Sequence, residues 1–239
     1  MNKQMIAALS AITVSFAGTA TAATIAFDIG PLGLLDGDGG LDQSTLSDGN
    51  VWNIFGRVGG GVDLGGVQDT NGNETAITMR AAGVSGRDGN STLNAGWGGT
   101  VPQTVVDSWY FRDGVGTMSF VLKGFDPGSA WDIDVIDSFK TGTGANTIDI
   151  QVNGLFADGS VGPSATTDGD GWRRREDGWD NDAVLSFDGF TADQNGEFVI
   201  TLSGGNPTIQ GLVLTAVPEP SSSALVGIGG LALILRRRK

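Results

Sequence analysis

Short runs of alternating apolar and polar residues recur along this chain. In 24–30, Ile25, Phe27 and Ile29 share one side. In 147–153, Ile148, Ile150 and Val152 point one way, and Thr147, Asp149 and Gln151 the other. A period of two is the signature of a strand with one buried face. Strand-like runs also cover 51–56, 74–82, 104–112, 116–125, 130–139, 183–190, 196–203 and 209–217. The pattern predicts about ten strands. Asp113-Gly114-Val115 predicts a hairpin between 104–112 and 116–125, and Asp126-Pro127-Gly128 predicts a tight turn. No long segment between the two ends has helical period. The expected fold is therefore all-β: a single β-sandwich, jelly-roll-like. Three Gly/Asp-rich stretches, 33–49, 58–73 and 157–182, read as long loops, and loops of that length often carry function.

The two ends break the pattern. Lys3 precedes a mostly apolar stretch over 5–18, followed by Thr19-Ala20-Thr21-Ala22. This reads as a signal-peptide helix cut after Ala22. At the other end stand Val217-Pro218-Glu219-Pro220, three serines, an uncharged apolar run over 224–235, and Arg236-Arg237-Arg238-Lys239. With the serines the run has 15 residues, about 22 Å as a helix at ~1.5 Å per residue. A comfortable span needs ~20 residues. The terminal cations stay in the cytoplasm by the positive-inside rule, which puts the bulk of the chain outside. A short span behind a cationic stop suits transient presentation to a protease.

This three-part tail resembles the PEP-CTERM sorting signal of bacterial exosortase substrates, on Val217, Pro218, Glu219, Pro220, Arg236, Arg237 and Arg238. The resemblance implies an exosortase-type transpeptidase as partner, with processing near the Pro-Glu-Pro residues. It also implies a bacterium that makes exopolysaccharide. The expected organisation is signal peptide 1–22, β-sandwich 23–216 and sorting segment 217–239. Localisation is expected at the cell surface or in the extracellular matrix, after membrane anchoring through the C-terminal hydrophobic helix.

Composition sharpens this picture. Over 23–216, nine Lys and Arg face 26 Asp and Glu, a formal charge of −17. Such a surface repels nucleic acid, so none is expected as a partner. The acid is almost all Asp, and with 40 Gly this favours turns over helices. Cys and His are absent. That removes disulfides, Ser-His-Asp and Cys-His dyads or triads, and the usual zinc ligands.

Three kinds of chemistry remain. The hard oxygens of Asp36, Asp38, Asp69, Asn71, Asp168, Asp170, Asp180 and Asp182 either hold Ca2+ or make ordinary Asp-Gly turns. The Asp69 stretch is not an EF-hand, because Glu74 stands where that loop needs Gly, and Arg80 where it needs a bidentate acid. In the second, Trp172, Arg173, Arg174 and Trp179 are arranged either as a sugar platform or as loop anchors beside Asp, with Trp97, which is either a core residue or exposed at a loop tip, as a further candidate. Trp52, Trp109 and Trp131 are expected in the core. Third, Asp132 and Asp134 share a strand face, with Asp149 expected across a hairpin. This is either a solvated face or a carboxylate pair for glycoside hydrolysis. No catalytic residue is assigned. The pieces Ile25-Ala26-Phe27-Asp28-Ile29-Gly30, Trp52-Asn53 and Lys123-Gly124-Phe125-Asp126-Pro127-Gly128 resemble galactose-binding-like jelly rolls, which implies carbohydrate binding. The expected function is non-catalytic association with exopolysaccharide. The alternatives are a structural or adhesive surface protein with Ca-stabilised loops, or a carboxylate glycosidase.

Overall fold

The computed structural model describes residues 22–30, 41–56, 62–84, 86–89, 102–106, 108–112, 114–136, 148–155, 184–205 and 207–218. Two sheets pack face to face. The larger joins β1 (Thr24–Ile29), β2 (Leu41–Thr45), β3 (Val51–Phe55), β8 (Ala130–Ile136), β10 (Val184–Thr191) and β13 (Gly211–Ala216) in the order β10-β8-β13-β1-β3-β2. The smaller joins β4 (Thr78–Ala82), β7 (Val115–Lys123), β9 (Ile148–Val152) and β11 (Glu197–Gly205) in the order β4-β7-β11-β9. A third, small sheet has β5 (Gly86–Gly89), β6 (Ser108–Phe111) and β12 (Thr208–Ile209) in the order β12-β6-β5. One helical turn, α1 (Gln103–Val106), precedes β6. The all-β sandwich is as the alternation predicts. The expected terminal helices lie outside the described residues.

Alternation builds the core directly. Ile25, Phe27 and Ile29 of β1 meet Met118, Phe120 and Leu122 of β7 and Phe198, Ile200 and Leu202 of β11 in one buried cluster. Leu212 and Leu214 of β13, Ile133 and Val135 of β8, and Ile150 and Val152 of β9 complete it. Phe125 joins the layers at one end, edge-on to Trp131 at 5.0 Å and to Phe198 at 4.9 Å. On the smaller sheet, polar residues face out. Lys123 reaches Asp63 at 3.3 Å and Glu197 at 3.5 Å there.

β1 is buried on both faces, unlike a plain sandwich strand. Ala26, Trp52 and Ile136 form a second cluster with Val105 of α1. The helical turn therefore covers the outer side of the larger sheet. Gly211 makes room for it, since a Cβ there would sit 2.9 Å from Val105 Cγ1.

The structure corrects several expectations. The hairpin expected at Asp113-Gly114-Val115 does not form: β6 pairs with β5 and β12, whereas β7 pairs with β4 and β11. The run 104–112 begins as α1 and only then becomes a strand, and 209–217 divides into β12 and β13. The stretch 33–49, read as a loop, contains β2. β1 and β3 pair in parallel, which needs a crossover, and β2 lies on that crossover.

Candidate functional site

The described chain ends converge in the middle of the larger sheet, at one end of its strands. β1 and β13 are its two central strands and run antiparallel, with Thr24 opposite Thr215. The Ala216 N–H donates to the Ala23 carbonyl at 2.9 Å, one rung beyond β1. On the other side of β13, the Val217 N–H donates to the Ala130 carbonyl at 2.9 Å. Val217 is half-buried and Pro218 is exposed. So the first residue of the expected sorting segment, Val217, is paired into the sandwich itself. Glu219, Pro220, Arg236, Arg237 and Arg238 lie outside the described residues.

The acidic loops have a clear local logic. Asp69 accepts the Asn71 and Asn73 N–H groups on Oδ1, at 2.9 and 2.8 Å, and the Asn73 amide on Oδ2 at 2.8 Å. The Gly72 N–H returns to the Asp69 carbonyl, and Gly72 has φ of 85°. This is a tight turn closed by a glycine at positive φ. Asp193 repeats it: Oδ1 accepts from Asn195 and Glu197, both at 2.8 Å, and Gly196 has φ of 70°. Asp48 accepts from Asn50 and, on Oδ2, from the Trp52 indole at 3.0 Å. Asp69 and Asn71 thus share one loop, but the carboxylate is turned onto its own backbone. Among the described residues, no three carboxylates gather to hold a metal ion. Asp36, Asp38, Asp168, Asp170, Asp180 and Asp182 lie outside them.

These contacts also set acidity. Burial raises the Asp69 carboxyl, but the hydrogen bonds from Asn73 and Asn71 outweigh it and hold the group below the usual carboxylate value. At Asp48, burial is again the largest single influence and raises the group, and the bonds from Trp52 and Asn50 bring it below. At Asp193 the Glu197 N–H leads, and the net direction is also down.

Asp132 and Asp134 do share an outward face, as expected. Each has a neighbour on β10: the Gly189 N–H donates to Asp132 Oδ1 at 2.7 Å, and the Ser186 hydroxyl to Asp134 Oδ1 at 2.5 Å. Asp149 does not lie across from them. It sits on β9, in the other sheet. The proposed third carboxylate is therefore separated from the pair by the sandwich core.

Trp52 is buried and Trp131 partly so, both packed on core clusters as expected. Trp97, Trp172, Arg173, Arg174 and Trp179 lie outside the described residues, as does the Trp109 side chain. Sequence reasoning overlooked Asn53. Its amide donates to the Ala26 carbonyl at 3.0 Å and the Gln68 carbonyl at 2.7 Å, and its oxygen accepts the Gln68 N–H at 2.8 Å. It ties the 62–77 segment to the larger sheet, and Val67 of that segment enters the core. A lone polar residue inside an apolar run was the available signal. The Asp193 turn was overlooked too, although its Asp-x-Asn-Gly spacing repeats that of Asp69.

Fold and ends define a β-sandwich whose last central strand runs straight into a C-terminal segment. The family model of the PEP-CTERM protein-sorting motif matches residues 216–239. The chain is thus an exported, surface-associated protein carrying a signal for exosortase-mediated processing. No curated protein and no solved structure matches the chain. Among the described residues, no helix is long and apolar enough to cross a membrane. The run 224–235 lies outside them.

Proposed function

We propose that the sandwich is a non-catalytic module that associates with extracellular polysaccharide once the tail has been processed. The observation carrying this reading is the sorting motif over 216–239. By the resemblance, chains with this signal belong to exopolysaccharide-making bacteria. The candidate sugar-binding residues are Trp172, Arg173, Arg174 and Trp179, with Trp97 as a further one. Aromatic faces stack on sugar CH groups, and guanidinium groups pair with acidic sugars.

Against catalysis stand the absence of Cys and His and the separation of Asp149 from Asp132 and Asp134. The structural reading with calcium-held loops now rests on Asp36, Asp38, Asp168, Asp170, Asp180 and Asp182. The turns at Asp48, Asp69 and Asp193 close on their own hydrogen bonds.

The test is titration of the processed protein with the host's exopolysaccharide. Trp172→Ala and Trp179→Ala should each weaken saturable binding about tenfold or more, the loss of one stacked anchor. No sugar response in glycan arrays and melting shifts defeats the reading. A melting temperature lowered by chelator, without sugar binding, establishes the structural alternative.

A further inference from the structure

The sheet decides how much chain a processing enzyme can grasp. β13 is paired on both sides, to β1 and to β8, so it has no free edge through Ala216. One further rung, from the Val217 N–H to the Ala130 carbonyl, extends this to Val217. Pro218 has no N–H and is exposed. Enzymes that cut or transfer peptides commonly hold an extended substrate through its backbone groups, and a strand already paired on both sides offers none. Downstream, six residues from Pro218 to Ser223 precede the apolar run. They reach about 20 Å at most when fully extended. The Ala23–Ala216 rung brings the expected leader junction to the same end of the strands. The sandwich is therefore able to close while both ends are still held at the membrane.

We infer that the folded sandwich gates the sorting step: with β13 zipped to Val217, a membrane-embedded transpeptidase reaches only the chain from Pro218 onward, and processing waits on opening of the last rung. This rests on the exosortase-processing reading of the tail. Before processing, it casts the end of the β1–β13 ladder at Ala23 and Val217 as the surface facing the enzyme.

The test uses the full chain in its exporting cell, with tail loss followed by pulse-chase and intact mass. A short Gly-Ser linker inserted between Val217 and Pro218 should speed tail loss by about threefold or more, with the cut unchanged within the Pro-Glu-Pro segment. Deleting Val217 sets Pro218 opposite the Ala130 carbonyl, where it has no hydrogen to donate; the last rung is then missing, and tail loss should speed up by about threefold, on the scale of one hydrogen-bonded rung. Protease resistance of each variant checks that the sandwich is folded. Equal rates for folded parent, linker and deletion chains overturn the gating. Retention of Arg236 to Lys239 in every chain overturns the processing reading itself, and the gating with it.

Discussion

At the residue scale, a few polar side chains hold more of the fold than their number suggests. Asn53 is fully buried, and its amide uses both hydrogens and its oxygen. Asn53→Ala leaves the Gln68 N–H and two carbonyls without their partner. The expected cost is about 2–4 kcal/mol, read as a lower urea midpoint with unchanged slope. Asn53→Asp should be no better, because it sets a carboxylate against two carbonyl oxygens. Asp48, Asp69 and Asp193 predict a pH effect. Their folded-state values lie below the ordinary Asp value of 3.8. The stability they add is complete above the unfolded value and is lost as pH falls through the lower folded values. Melting temperature should therefore drop below about pH 4. A triple Asp→Asn variant should show a flatter acid limb, since an amide keeps an acceptor for the backbone N–H groups but does not titrate in this range. An unchanged acid limb would count against these turns as its source.

At the scale of elements, two devices shape the sandwich beyond strand alternation. One is the tight end of β11. Gly196 has φ of 70°, and a Cβ there would collide with the Phe125 carbonyl oxygen. Gly196→Ala should cost about 2–4 kcal/mol through left-handed strain and the displaced turn. Crystal or NMR comparison should place the change at Phe125 and the β7–β11 ladder. The other is α1 on the outer face of the larger sheet. Val105 is fully buried against Ala26, Trp52 and Ile136. Val105→Ala should cost about 1–2 kcal/mol. Hydrogen exchange should then rise at α1 and β6 before the β1–β13 ladder loosens. Most strands were legible because a half-buried strand must alternate. β2 was not, because its five residues have no fully buried position and merge with a Gly/Asp stretch. The false hairpin at Asp113-Gly114-Val115 shows the other limit. Turn residues mark where a chain bends, but the partner of each strand is chosen by packing across the whole sheet.

Across the whole molecule, charge and topology act together. The exported part is strongly acidic, at −17 over 23–216, whereas the tail carries a cluster of four cations. Loss of the tail should make the mature protein more acidic than the precursor. Isoelectric focusing beside intact mass checks this: a mature form that keeps the precursor's isoelectric point would mean that the tail is retained. The strand order places the two ends of the sandwich side by side, 2.9 Å apart across one hydrogen bond.

By itself the sequence determined destination and class. The tail works through local order, a short motif, an apolar run and a cluster of cations, and alternation with turn residues is also local. Both therefore survive as readable patterns in one dimension. Only the tertiary structure decided which strands are neighbours, that β1 and β3 run parallel, that Asp149 stands a sheet away from Asp132 and Asp134, and that the sorting segment begins on a doubly paired central strand. Those outcomes depend on which apolar faces bury one another and which backbone groups find partners. Such choices are made between residues far apart in the chain, where spacing has nothing to say.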